Sequence, residues 1–331
     1  MYRLKLVPAQ TSVDFFRYWR VTFGASVVAM VLSLVAFAII GLNFGIDFRG
    51  GTSIRTEATQ PVDVGDYRGA LQPLGLGDVA ITEVFDPTFR ADQNVAMIRI
   101  QAQEGEESVS PAVVAEVEAA LQALDPTLRF TSVESVGPKV SGELIRSAII
   151  AVSLALAAVL FYVWIRFEWQ FSVGAVAALV HDVVLTIGIF TILQIRFDLA
   201  IIAALLTIVG YSLNDTVVVF DRVRENLIKY KKRPLNEVLN LSVNETLSRT
   251  VMTSVTTLLA LLALFILGGD VIRGFVFAMI WGVIVGTYSS VFVASAVLLW
   301  LGVKRDWSKA SDEEAAGTRF RTGAEGRGKT P

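Results

Sequence analysis

Residues 199–220 read LAIIAALLTIVGYSLNDTVVVF. As a helix this run is long enough to span a bilayer, which takes about 20 apolar residues. Asn214 and Asp215 lie inside it. A carboxylate at the centre of a spanning helix costs about 2.5–3.5 kcal/mol on insertion scales. Such a residue needs something to face: a partner helix, a cation or a path for ions.

The whole chain has the composition this run implies. Of 331 residues, 53% are hydrophobic and 18% charged, with a mean hydropathy of +0.58. That profile is a membrane protein and excludes an ordinary soluble enzyme. The net charge of −2 carries no nucleic-acid footprint. The chain has no cysteine and a single histidine, His181, which excludes disulfides, thiolate sites and a multi-histidine metal site.

Outward from the central run, five more apolar stretches emerge. Val21–Leu42 follows a polar, basic segment of residues 1–20 that carries Arg3, Lys5, Arg17 and Arg20. It is longer than a signal-peptide core and lacks a small-residue cleavage site, so it reads as a retained first spanning helix. Leu144–Ile165, Phe171–Leu193, Thr250–Leu267 and Phe275–Leu301 complete the set. The last is long enough to tilt or to end at the interface.

Between the first and second runs, residues 43–142 have soluble composition. Thr52–Thr56, Asp78–Phe85, Asn94–Ala102 and Leu128–Val136 read as strands. Val62–Leu74 and Ser110–Ala123 read as helices, the second opened by a Ser-Pro cap. The order βαββαβ is that of the ferredoxin-like split unit. Gly45–Thr52 reads GIDFRGGT, a tight glycine turn out of the membrane, and Val136–Val140 is the matching re-entry turn. Both are candidate hinges or plain turns. A phosphate loop is excluded, because no GxxxxGK[ST] pattern is present.

Lys and Arg in short connections set the orientation. Residues 1–20, the loop 222–249 and the tail from Lys304 are basic, while Gln194–Asp198 and Gly268–Arg273 are short. Six crossings put the three basic segments on one face. The termini are therefore expected in the cytoplasm and the inserted domain outside. Residues 302–331 form the C-terminal segment, whose Gly-, Arg- and Glu-rich stretch reads as a disordered tail.

Three groups of residues are candidates for chemistry, and a fourth signal concerns packing alone. Asp215 lies a turn or two inside the cytoplasmic boundary, with Tyr211 at i−4 on the same face and Asn214 beside it. It is either a switchable charge or an acid that locks two helices together. Arg249 opens the fifth apolar run on the same side, followed by Thr253 and Thr256 at i+4 and i+7. The arginine pairs with the acid or snorkels to headgroups, and the hydroxyls hold water or bond back to their own helix. His181-Asp182 lies near the middle of the third run, with Thr186 at i+4 from Asp182. Relay and polar clamp both stay open there. On the sixth run Gly274, Ala278, Gly282, Gly286, Ser290 and Ala294 recur every four residues, a ridge for close helix packing.

Four motifs in order give the layout a name. GIDFRGGT follows the first run, VGPKVSGELI (136–145) enters the second, ALVHDVVLTIG (178–188) is in the third, and VGYSLNDTVVVFDRVREN (209–226) is in the fourth. LSRTVMTSVTT (247–257) supports them. The chain resembles the SecF family of protein-export membrane subunits in the resistance-nodulation-division superfamily.

The resemblance implies an all-α six-helix half of such a transporter with an inserted α+β ferredoxin-like periplasmic domain. It implies SecD as the pairing subunit, with the SecYEG channel, YajC and SecA as further partners. The setting would be the bacterial inner membrane, and the cargo an exported unfolded polypeptide moved with the proton-motive force. By the same resemblance Asp215 and Arg249 carry the proton, and no cofactor is expected. A proton-driven exporter of small molecules or lipids and a passive translocase scaffold are the competing readings.

Overall fold

The computed structural model describes residues 11–77, 79–84, 86, 89–90, 92–101 and 109–303, apart from the side chains of residues 270 and 271. Arg3, Lys5, the expected strand limits at Asp78, Phe85 and Ala102, and the expected tail from residue 304 lie outside the described residues.

Among the described residues, six helices are long and apolar enough to cross a membrane. They are α1 (Trp19–Ile40), then, after the inserted domain, α5 (Pro138–Arg166), α6 (Trp169–Leu193), α7 (Leu199–Lys229) and α8 (Leu235–Leu267). The sixth is built from α9 (Asp270–Ser289), a π turn (Ser290–Ala294) and α10 (Ser295–Leu301). A π turn inserts one residue into the helical ladder and shifts the side chains beyond it.

The inserted domain runs from a short α2 (Ile46–Arg49) through β1 (Gly51–Ala58), α3 (Val64–Leu71), β2 (Val79–Val84), β3 (Asn94–Gln101) and α4 (Pro111–Gln122) to β4 (Arg129–Val136). The four strands form one sheet in the order β2-β3-β1-β4, and every pair is antiparallel. The caps are local sequence chemistry. The Asp63 carboxylate accepts from the Gly65 and Asp66 amides, and the Ser110 hydroxyl accepts from the Val113 amide beside Pro111. Alternation along the strands sends Ile54, Ile98 and Ile100 to one face, where Tyr67, Leu71, Val117 and Leu121 close the core. Ser53, Arg55, Met97 and Arg99, with β4's Ser132 and Glu134, line a cavity of about 250 Å³ against Asp47 and the α6–α7 turn.

The small residues of α9 pack on α7. A Cβ at Gly282 would collide with Ile208, and one at Gly286 would sit 3.1 Å from the Ser212 Cβ. Gly188 of α6 lies against Ser33 of α1 in the same way. These close approaches bring α6, α7 and α9 together as the buried centre, with α1, α5 and α8 around them.

The exit of α1 is tied to the turn between α6 and α7. The Gly45 amide donates to the Phe197 carbonyl at 2.8 Å, and the Phe197 amide donates to the Asn43 carbonyl at 2.8 Å. Phe44, Phe48, Phe190 and Phe197 pack around this bridge. Asp47 Oδ2 accepts the Leu199 amide at 3.0 Å at the start of α7. The domain is therefore anchored at its root to the helix that carries Asp215.

The far end differs from the expected basic loop over 222–249. Helix α7 continues to Lys229 and α8 already starts at Leu235, so the stretch is a helical hairpin. Arg249 lies within α8 and does not open it. The cause is packing that hydropathy does not register. Val238, Leu239, Ser242 and Val243 are buried against α7, and Asn226 bonds Ser242 and Glu245 at 3.0 and 2.7 Å. Asn240 and Asn244 hold the segment before α1 by accepting from the Phe15 and Val13 amides.

Candidate functional site

The hairpin sets the depth of both charged candidates. Asp215 lies 14 residues before the end of α7 at Lys229, and Arg249 lies 14 residues after the start of α8 at Leu235. At 1.5 Å per residue each is about 21 Å from the turn. The two are level because antiparallel helices of equal rise measure equal distances from their shared end.

They do not touch. Asp215 is buried, at 4% exposure, whereas Arg249 is exposed. Among the described residues no ion pair within 4.0 Å joins them, although the arginine is near enough for its charge to act on the acid. Asp215 Oδ2 has no hydrogen-bond partner among the described residues. The same holds for the buried Tyr211 Oη, one turn earlier, and for Thr250 Oγ1, next to Arg249 on α8. A buried polar atom without a partner costs about 1–3 kcal/mol. An acid left this way in a spanning helix marks a place where a polar group serves something besides stability.

Other candidates lie elsewhere. Asn214 is exposed on the outside of α7. The Thr253 hydroxyl donates to the Thr250 carbonyl and the Thr256 hydroxyl to the Met252 carbonyl, so both bond back to their own helix. Beside them, the Ser254 hydroxyl reaches off α8 and meets Thr287 of α9 at 2.7 Å.

His181 and Asp182 form a second, fully buried cluster. His181 Nδ1 is 3.0 Å from Asp182 Oδ1. Asp182 Oδ2 accepts the Ser212 hydroxyl of α7 at 2.6 Å and the Ser289 hydroxyl of α9 at 2.8 Å. Thr186 donates to the Asp182 backbone carbonyl and leaves the carboxylate alone. The His181 ring stacks on Tyr288 at 6.1 Å, and the Tyr288 hydroxyl reaches the Thr22 carbonyl and Ser26 of α1 at 3.1 and 3.0 Å. One polar ladder thus joins α1, α6, α7 and α9, and the π turn begins right after Ser289.

Sequence reasoning passed over Ser212, Tyr288 and Ser289. Ser212 lies inside the fourth-helix motif and Ser289 beside the small-residue ridge, so position was their only signal. No group of three or more metal-ligating side chains exists among the described residues.

Comparison with known proteins gives this architecture its place. Residues 116–304 match the family model described as protein export membrane protein SecD/SecF, C-terminal, and residues 35–62 match the SecD/SecF GG motif. The second match covers the glycine turn at Gly50-Gly51. The protein translocase subunit SecF of Cereibacter sphaeroides is 62% identical over 96% of this chain and 98% of its own length. The SecF subunit of Rickettsia rickettsii is 40% identical over 93% of this chain and 98% of its own. Among solved structures, SecDF of Thermus thermophilus, a translocon-associated membrane protein, superposes with a TM-score of 0.79 at 37% identity. That match covers 89% of this chain and 39% of the SecDF chain. A second SecDF structure, in the super-membrane-facing form, gives a TM-score of 0.66 over 96% of this chain and 41% of that one. The chain belongs to the SecF family of protein translocase subunits.

Proposed function

We propose that this subunit pairs with a SecD-like chain beside the SecYEG channel and couples proton movement through Asp215 and Arg249 to export of unfolded polypeptide. The observation that carries the reading is the buried Asp215 carboxylate, level with Arg249 but out of contact, with one oxygen lacking a partner among the described residues. Asp182, the acid of the neighbouring spanning helix α6, has both oxygens engaged instead. An acid that exchanges a proton has to be able to do without a fixed partner.

In this mechanism a charged Asp215 draws Arg249 inward and a protonated one releases it. The observed separation fits the released state. Each state favours a different packing of α7 against α8. The start of α7 is tied through Leu199 to Asp47 and through Phe197 to Gly45, so a shift of α7 pulls on the root of the inserted domain. One charge crossing 100 mV supplies about 2.3 kcal/mol. A swing from 1:99 to 99:1 takes about 5.5 kcal/mol, so more than one proton or a smaller swing is required.

The antiparallel sheet order and alternating helices favour a ferredoxin-like inserted domain, within one half of a resistance-nodulation-division architecture. The basic hairpin at the far end and the basic N-terminal segment favour a cytoplasmic location for both termini, with the domain on the outer face of a bacterial inner membrane.

Asp215→Asn tests the reading. The variant is expected to assemble normally and to lose the part of export that depends on the proton gradient. Unchanged gradient-driven export in inverted vesicles makes Asp215 structural and leaves a scaffold.

A further inference from the structure

The segment just before α1 lies along α8 and is held there by two side chains one helical turn apart. Asn244 pairs with both backbone groups of Val13: its Oδ1 accepts the amide at 2.9 Å and its Nδ2 donates to the carbonyl at 2.8 Å. Asn240 Oδ1 accepts the Phe15 and Phe16 amides at 2.8 and 3.3 Å, and its Nδ2 donates to Asp14 Oδ1 at 2.7 Å. The other side of the segment belongs to the bundle. Phe16 is buried in the apolar core that includes Val163 and Phe220, and the Phe15 ring meets Phe292 of the π turn edge-on at 6.1 Å between centroids. The segment is thus a strap between α8 and the rest of the helices.

The strap and Arg249 occupy opposite flanks of α8. At 3.6 residues per turn, Arg249 lies about 140° around the helix from Asn244 and about 180° from Asn240. The buried line of α8, with Leu239, Val243, Thr246 and Thr250, runs between the two flanks. Turning Arg249 from its exposed flank into the bundle is therefore a roll of α8 by roughly a quarter turn. That roll carries Asn240 and Asn244 outward, away from the strap, and breaks their hydrogen bonds. We propose that residues 13–16 are a latch that holds α8 in the roll with Arg249 outward. Asn240 and Asn244 are then positioning residues for the approach of Arg249 to Asp215 proposed above, on which this role rests.

A helix held by hydrogen bonds on one flank and drawn by a charge on the other has two packings, and the latch sets how readily it passes from one to the other. Its grip is on backbone groups, apart from the Asp14 carboxylate, so it depends on the two asparagines more than on the sequence of the strap.

The chain has no cysteine, so single introduced cysteines carry a spin label to chosen points of α8 in the full chain in nanodiscs. Met252 is exposed on the flank of Arg249, and Leu258 is half-buried on the flank of the strap. In N240L/N244L the Val13, Phe15 and Phe16 amides are expected to exchange about tenfold faster, the worth of about one net hydrogen bond. Oxygen accessibility is expected to fall for the label at Met252→Cys and to rise for that at Leu258→Cys, the opposite signs that a roll requires. If the double variant does not fold, Phe15→Ala, which keeps both asparagines and removes the ring contact with Phe292, is expected to give the same two signs. Accessibility that rises at both positions overturns the latch in favour of general loosening. Unchanged accessibility with the strap amides freed overturns it outright. Adding Asp215→Asn to N240L/N244L separates the latch from the proton mechanism. Return of both labels to wild-type accessibility supports the latch and the pull of Asp215 on Arg249. The same roll persisting there supports the latch and overturns that pull.

Discussion

The hydroxyl of Ser289 on α9 donates to Asp182 Oδ2 on α6 at 2.8 Å, and that oxygen also receives Ser212 of α7. One carboxylate thereby closes the three helices at the centre of the bundle. Hydrogen bonds between membrane helices are worth about 0.6 kcal/mol on average and up to about 1.7. Ser289→Ala is expected to lower stability by about 0.6 kcal/mol. Asp182→Ala, which strands two buried hydroxyls and His181, should cost about 1–3 kcal/mol. Unfolding of the reconstituted protein by steric trapping measures both. Equal small losses for the two variants would show that Asp182 does not hold the helices together.

Arg249 is exposed and makes no contact with Asp215, so its removal disturbs little packing. Arg249→Met is expected to change stability by less than about 0.5 kcal/mol, as for most surface substitutions, while impairing gradient-driven export. Arg249→Lys keeps the charge and is expected to restore part of the activity. A stable Arg249→Met protein with normal proton flux would place the arginine at the headgroups alone.

Gly50 has φ +73° and ψ 166°, a region only glycine occupies without strain. A Cβ there would also sit 3.3 Å from the Pro138 nitrogen and the Val136 carbonyl oxygen. Gly50→Ala is expected to destabilise the root of the domain by about 1–3 kcal/mol. Faster hydrogen exchange in β1 and β4, with the helices unchanged, is the corresponding signal.

Asp125 sits below the sheet in the turn between α4 and β4. Burial acts to raise its pKa, but hydrogen bonds from the Thr127 hydroxyl and amide and from the Gln60 amide outweigh it and hold the value below the ordinary 3.8. A carboxyl depressed on folding contributes stability above its unfolded value. That contribution fades as pH falls through the unfolded and then the folded value. The inserted domain should therefore lose protection below about pH 4. Asp125→Asn should remove this part of the pH dependence, read by hydrogen exchange across pH 3–7.

Much of the architecture was legible along the chain because its causes are local. Apolar run length gives the six helices, alternation and caps such as Asp63 and Ser110 give the strands and helices of the inserted domain, and Gly50-Gly51 gives its turn. Hydropathy understated α8, since Leu235–Ser248 is helical through packing on α7 and not through an apolar run. It also placed Arg249 at a helix start when it lies mid-helix.

The sequence by itself determined where the chain can enter the membrane and which expensive residues it carries there. Only the tertiary structure decided how each is compensated. Asp182 meets three partners because glycines let α6, α7 and α9 come close. Among the described residues Asp215 keeps an oxygen without a partner, and Arg249, at the same depth, lies on the exposed side of α8. Burial cost belongs to one residue and is written in its surroundings along the chain, whereas its relief depends on helices that pack together only in three dimensions.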